Sequence, residues 1–142
     1  MKFVSIIITN FNREKFIDRA VRSCLDQSTS RDIVIEIIVV DDASTDDSLK
    51  LLSMFNNSIK LIKHKKNLGV AAASNTGIRA SKGDYIIRLD SDDFMSKYSI
   101  QILSQILIEN NEYGFVYSDH YRVDEKGFKE EKKILNNNEK FF

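Results

Sequence analysis

Three carboxylates crowd one short stretch of this 142-residue sequence. Asp90, Asp92 and Asp93 follow a largely apolar run, Tyr85 to Leu89, with no cationic residue between them. Two carboxylates about 4 Å apart repel by about 1 kcal/mol in water and about 4 kcal/mol near a protein surface, so the cluster makes sense where a cation sits among its members. Oxygen-only ligands select a hard ion, Mg²⁺ or Mn²⁺, and Mg²⁺ takes one or two carboxylates together with substrate phosphates rather than a full protein cage. The expected ligand is therefore phosphorylated. The bland alternative is a helix N-terminus dressed with acids.

A second acidic pair, Asp41 and Asp42, ends the apolar run Ile33 to Val40. Helix capping would account for Asp41. Asp42 is the better placed to read a nucleobase, because a uracil ring presents an imide N–H and a carboxylate is its natural acceptor. Phe11 lies between Asn10 and Asn12 and could offer such a ring a stacking face, core packing being the alternative. The basic run Lys60, Lys63, His64, Lys65 and Lys66 is expected to be a solvated strand end. His64 and His120 have no carboxylate, Ser or Cys partner at a recognisable spacing, so neither is expected to act as a catalytic base. Cys24 falls on an apolar helical stripe and belongs to the core. The sequence carries neither a nucleophile elbow nor a Walker-type phosphate loop.

These residues need elements to carry them. Phe3 to Thr9 and Ile33 to Val40 are continuous β-branched runs, the pattern of strands buried on both faces. Asn12 is the expected N-cap of a helix bearing Ile17, Ala20, Val21, Cys24 and Leu25. Ser44 or Thr45, followed by Asp46 and Asp47, is the expected start of a second helix. A short strand at 59–63, a helix over 70–81, a strand from Tyr85 to Leu89 and a helix over 96–109 follow. Phe115, Tyr117 and the residues beyond are expected to enter a strand, with Asp124-Glu125-Lys126-Gly127 as a hairpin turn. Residues 1–134 are expected to form one domain and 135–142 a frayed tail. Alternating strands and helices imply a mostly parallel sheet with right-handed crossovers, whose ligand site lies outside the carboxyl ends of the strands. That rule gathers Thr9, Asn10 and Phe11, then Asp41 and Asp42, then His64 with Asn67 to Gly69, then Asp90, Asp92 and Asp93, on one edge.

Composition narrows the function classes. Lys+Arg and Asp+Glu both number 21, a formal net charge of zero, which argues against general affinity for nucleic acid. One cysteine and two histidines leave no internal disulfide and no Cys/His zinc cluster. No apolar run approaches the roughly 20 residues of a membrane span and no signal peptide is apparent, so a cytoplasmic location is expected, with or without peripheral attachment to the inner membrane face.

Four segments together resemble a known family. Val4-Ser5-Ile6-Ile7-Ile8-Thr9-Asn10-Phe11-Asn12-Arg13 is similar to the opening strand of family 2 glycosyltransferases of the GT-A fold. Glu36 through Asp46, Asn67-Leu68-Gly69 with Ala73-Ser74-Asn75-Thr76-Gly77, and Gly83 through Asp93 resemble the next three signatures, in order and at family-like spacing. The resemblance implies a Rossmann-like GT-A sheet, stopping after the donor-binding half with a C-terminal β-hairpin. It also implies a nucleotide diphosphate sugar donor, usually a UDP-sugar, with Mn²⁺ or Mg²⁺. By the same likeness, Thr9, Phe11, Asn12, Asp42, Asn67, Gly69 and Asp90 would hold the nucleotide, and Asp90, Asp92 and Asp93 the metal. The acceptor would be a glycan or lipid-linked hydroxyl, transfer would invert the anomeric centre, and homo-oligomerisation is left open. Two departures stand out: Phe11 replaces a frequent Tyr, and Ser74 replaces a frequent Arg. The family's general base has no match within these residues; Asp119 and Asp124 are expected to be strand-edge residues.

Two other readings compete. The chain could bind nucleotide-sugar without transferring it, which turnover assays would separate from an enzyme. A phosphatase of the haloacid dehalogenase type would use Asp90 as nucleophile and Asp92 as acid/base, but Phe94 stands where that motif has Thr or Val.

Overall fold

The computed structural model describes residues 1–133; the tail expected at 135–142 lies outside them. The chain divides into two compact units, Met1–Gln105 and Ile106–Phe142. In the first, β1 (Lys2–Asn10), β2 (Ile33–Asp41), β3 (Lys60–Lys63) and β4 (Tyr85–Asp90) form a sheet of order β3-β2-β1-β4. Every pairing is parallel, as crossovers through helices require. Those crossovers are α1 (Ile17–Leu25), α2 (Ser48–Ser53) and α3 (Val70–Ala80), and α4 (Ser99–Glu109) comes after β4.

The two long apolar runs are central strands, and period-2 alternation sends their side chains to two cores. Val4, Ile6 and Ile8 of β1 and Ile37 and Val39 of β2 pack with Ile17, Val21 and Cys24 of α1, Leu52 of α2 and Ile100 of α4. On the opposite face Ile38 and Val40 pack with Ala73 of α3. There α3 approaches β1 closely: a Cβ on Gly77 would run into Ile7 Cγ2. Cys24 is buried, and burial pushes its thiol up to about 12 against a weaker opposing hydrogen bond from Ser23.

Three helix starts differ from expectation, α4 by beginning at Ser99 rather than at 96. α1 begins at Ile17 behind a turn in which Phe16 and Ile17 N–H donate to Arg13 O. Asn12 is not its cap. It sits at φ 52°, and its Oδ1 accepts the Thr45 N–H at 2.8 Å. α2 begins at Ser48 rather than at Ser44 or Thr45, because residues 44–47 are occupied in bonds to residues 10–14, described below. No helix among the described residues is long and apolar enough to cross a membrane.

The second unit holds β5 (His120–Val123) and β6 (Lys129–Lys133), an antiparallel pair. The expected turn closes it: Gly127, at φ 88°, donates to Asp124 O, and Asp124 Oδ1 accepts the Phe128 N–H. Phe115 and Tyr117 precede the strand and stack with centroids 6.2 Å apart.

Candidate functional site

The register aligns the carboxyl ends of the strands. Thr9 lies beside Val40 on one side and Asp90 on the other, Asn10 beside Asp41, and Asp41 beside Lys63. The segments leaving those ends surround a cavity of about 370 Å³, within the ~300–1,000 Å³ usual for small-molecule sites. Of the residues expected to bind nucleotide, Thr9, Phe11, Asp42, Asn67, Gly69 and Asp90 line it; of those expected to hold metal, Asp90 and Asp92 do. Asn12 and Asp93 are not among its lining residues: Asn12 is turned to Thr45, and Asp93 N–H closes the acidic turn onto Asp90 O at 3.0 Å. Phe11 is 41% exposed, an open ring rather than a core one.

Asp41 and Asp42 divide their work. Asp41 is fully buried and accepts from Asn10 Nδ2 (2.8 Å), Ser44 N (2.9 Å) and Ser44 Oγ (2.6 Å), so it holds the turn after β2. Asp42, 3% exposed, reaches across to the next loop. Its Oδ1 accepts from Leu68 N at 2.9 Å and lies 2.6 Å from His64 Nδ1, and its Oδ2 accepts from Gly69 N at 2.7 Å and from the forked Leu68 N–H at 3.1 Å. Burial pushes the Asp42 carboxyl up, but the Leu68 and Gly69 amides and His64 outweigh it and hold the group below the usual carboxylate range. Gly69 takes φ +86° at the start of α3, a backbone that L side chains avoid; this turn aims its N–H at both Asp42 and Asn67 Oδ1.

The acidic turn has cationic company that sequence spacing did not show. Arg13 Nε is 3.3 Å from Asp92 Oδ2, and Arg88 Nη2 is 3.2 Å from Asp90 Oδ2. Arg13 arrives from the segment after β1 and also lines the cavity. All four side chains are close to half exposed, so each pair contributes only about 0–1 kcal/mol and can exchange for a stronger cation. Among the described residues no group of three or more His, Cys, Asp or Glu is placed to hold a metal. Two hard-oxygen donors on the cavity wall nevertheless fit a divalent ion whose remaining ligands are phosphate oxygens and water, which is the usual mode for Mg²⁺.

The walls of the cavity are tied to one another. Asn12 N–H donates to Ser44 Oγ, Arg13 N–H to Ser48 Oγ, Glu14 N–H to Asp46 Oδ2 and Asp47 N–H to Glu14 Oε2, all within 2.8–3.2 Å. Sequence reasoning missed Arg13, Arg88 and the His64–Asp42 contact. The last was within reach: given parallel β2 and β3 with Asp41 beside Lys63, the residue after each, Asp42 and His64, must be neighbours.

The family model for Glycosyl transferase family 2 matches residues 5–142. An uncharacterized glycosyltransferase of Rickettsia conorii is 40% identical over 126 residues, covering 87% of this chain and 20% of the relative. The chondroitin synthase of Escherichia coli is 33% identical over 126 residues, covering 87% and 18%. The chain thus spans about a fifth of the length of these relatives. Among solved structures, TarS residues 1–349 of S. aureus in complex with UDP-GlcNAc superposes with a TM-score of 0.70 at 28% identity, over 78% of this chain and 32% of that one.

Proposed function

The chain belongs to glycosyl transferase family 2, and from that premise we propose that it is the donor-binding part of an inverting glycosyltransferase that uses a UDP-sugar. The observation that carries the reading is one cavity lined by the open ring of Phe11, the buried carboxylate of Asp42 and the two half-exposed carboxylates of Asp90 and Asp92. The UDP-GlcNAc complex of the S. aureus neighbour supports the donor class, and the chondroitin synthase relative supports a growing glycan as acceptor.

The acceptor chemistry of Asp42 supports uracil. An ionised carboxylate offers about four lone-pair positions. Three donors make four contacts with Asp42, the Leu68 N–H being forked between Oδ1 and Oδ2, so the imide N–H would take the place of the longer Leu68 branch at 3.1 Å. Phe11 supplies the stacking face, and Thr9 and the Asn67 to Gly69 loop border the base. Asp90 and Asp92 would hold a divalent ion, Mg²⁺ or Mn²⁺, which when bound stabilises negative charge developing on the departing diphosphate. Arg13, released from Asp92, gains a phosphate oxygen as partner, a role open because Ser74 is no cation and instead donates to Val70 O. The acceptor hydroxyl attacks the anomeric carbon in line with the leaving diphosphate. Its proton goes to a general base that the family likeness leaves unmatched here; Asp124 is engaged in the hairpin turn.

Titration calorimetry with UDP, with and without Mn²⁺, tests the reading on the purified chain. The wild type binds UDP more tightly with the ion, and Asp92→Asn loses that metal-dependent gain. Equal affinity with and without Mn²⁺ in the wild type would remove the acidic turn from the site.

A further inference from the structure

His64 leaves β3 at the level of Asp42, and its N–H donates to Asp41 O at 2.9 Å. Its side chain is 10% exposed. A carboxylate only accepts, so the proton in the 2.6 Å contact with Asp42 Oδ1 sits on Nδ1. Nε2 is 3.0 Å from Thr76 Oγ1, and that hydroxyl is also 3.0 Å from Ala72 O. Thr76 can serve either form of the ring. It donates to a neutral Nε2, or it turns its proton to Ala72 O and accepts from a charged ring. Nδ1–H therefore stays on Asp42 in both forms, and the ring is anchored to α3 throughout.

We propose that His64 is a positioning residue for nucleobase recognition. Its Nδ1–H, together with the Leu68 and Gly69 amides, fixes the orientation of the Asp42 carboxylate that lines the cavity, while Thr76 prevents the ring from swinging away. The inference rests on the nucleotide-donor reading of this cavity. It adds that base selectivity depends on a side chain that does not itself line the cavity. A carboxylate locked in this way accepts the imide N–H of uracil and repels the lone pair that cytosine carries at the same ring position. Without His64 only the Leu68 and Gly69 amides hold the carboxylate, its orientation is less tightly fixed, and discrimination between the two bases falls.

Two variants separate positioning from mere support. His64→Asn keeps an amide N–H close to where Nδ1 stands; His64→Leu removes the donor. Calorimetric affinities of the full 142-residue chain for UDP and CDP are compared, with thermal melts to confirm folding. Loss of one charge-assisted orienting bond predicts about a tenfold weaker UDP affinity in His64→Leu, with CDP affinity nearly unchanged, and recovery to within about threefold of wild type in His64→Asn. Thr76→Val, which frees Nε2, falls between them and carries the test with His64→Asn should His64→Leu not fold. Equal losses for UDP and CDP, no advantage of Asn over Leu, or wild-type selectivity in Thr76→Val and His64→Leu would overturn the positioning role. A wild-type chain that binds neither nucleotide would overturn the donor reading itself, a distinct result.

Discussion

Replacing Asp42 by Asn tests how the carboxylate proposed to read the base and the loop before α3 depend on each other. Three donors, His64 Nδ1, Leu68 N and Gly69 N, meet this carboxylate at 2.6–2.9 Å. The two backbone amides cannot reverse polarity, so the single oxygen of Asn must serve them, and its NH₂ then confronts the protonated nitrogen of His64. Hydrogen bonds to a charged group contribute about 1.5–3 kcal/mol and neutral ones about 0.5–1.5 kcal/mol. Losing about 1 kcal/mol at each of three bonds gives about 3 kcal/mol of destabilisation, or roughly 10 °C in Tm for a chain of this size. UDP affinity should fall at least about tenfold, because the acceptor for the imide is gone. The pH dependence has a definite sign. The Asp42 carboxyl is held below its ordinary range, so its contribution is full above the unfolded value of about 3.9 and is lost as pH falls through the lower folded value. The stability gap between wild type and Asp42→Asn should be widest above about pH 4 and close under more acidic conditions. Thermal melts across pH, with UDP titrations at neutral pH, read both effects. A variant that melts within about 3 °C of wild type and binds UDP equally would refute the reasoning.

Further outcomes follow from the packing. Gly77→Ala pushes a methyl group into Ile7 Cγ2, and overpacking of this kind costs about 1–3 kcal/mol; denaturant melts should show it, whereas a neutral result would mean that α3 can lift from β1 freely. Cys24, buried with its thiol pushed up to about 12, should resist alkylation at pH 8 in the native chain and react at once in denaturant; rapid native labelling would contradict its placement on the buried face of α1. In the presence of Mn²⁺, Asp92→Asn should bind UDP no better than wild type without the ion, as the calorimetric test above reads.

The parts of the fold that could be foreseen are those set by local periodicity. Continuous apolar runs gave away β1 and β2 as strands buried on both faces, and the rule for parallel sheets placed Thr9, Asp42 and Asp90 on one rim before any contact was known. What escaped were side chains whose partners lie far along the chain. Asn12 has the residue type and position of a cap, yet its oxygen goes to Thr45, 33 residues on. Asp46 looks like the first turn of a helix, yet it accepts from Glu14 N–H and Ser48 N–H, so α2 starts later. Arg13 and Asp92 are separated by 79 positions, and only the folded sheet brings them together. The His64–Asp42 contact belongs between these cases, since it follows from strand register rather than from spacing.

The reciprocal bonds between residues 10–14 and 41–48 have a consequence for how such sequences can change. Each segment supplies the groups that satisfy the other: Asn12 serves Thr45, Ser44 serves Asn12, Asp46 serves Glu14 and Glu14 serves Asp47. A single replacement strands a backbone amide across the groove, and only a matching replacement on the far side restores it. The two stretches should therefore drift in tandem over generations, one compensating the other, as if they were a single inherited word spelled in two places.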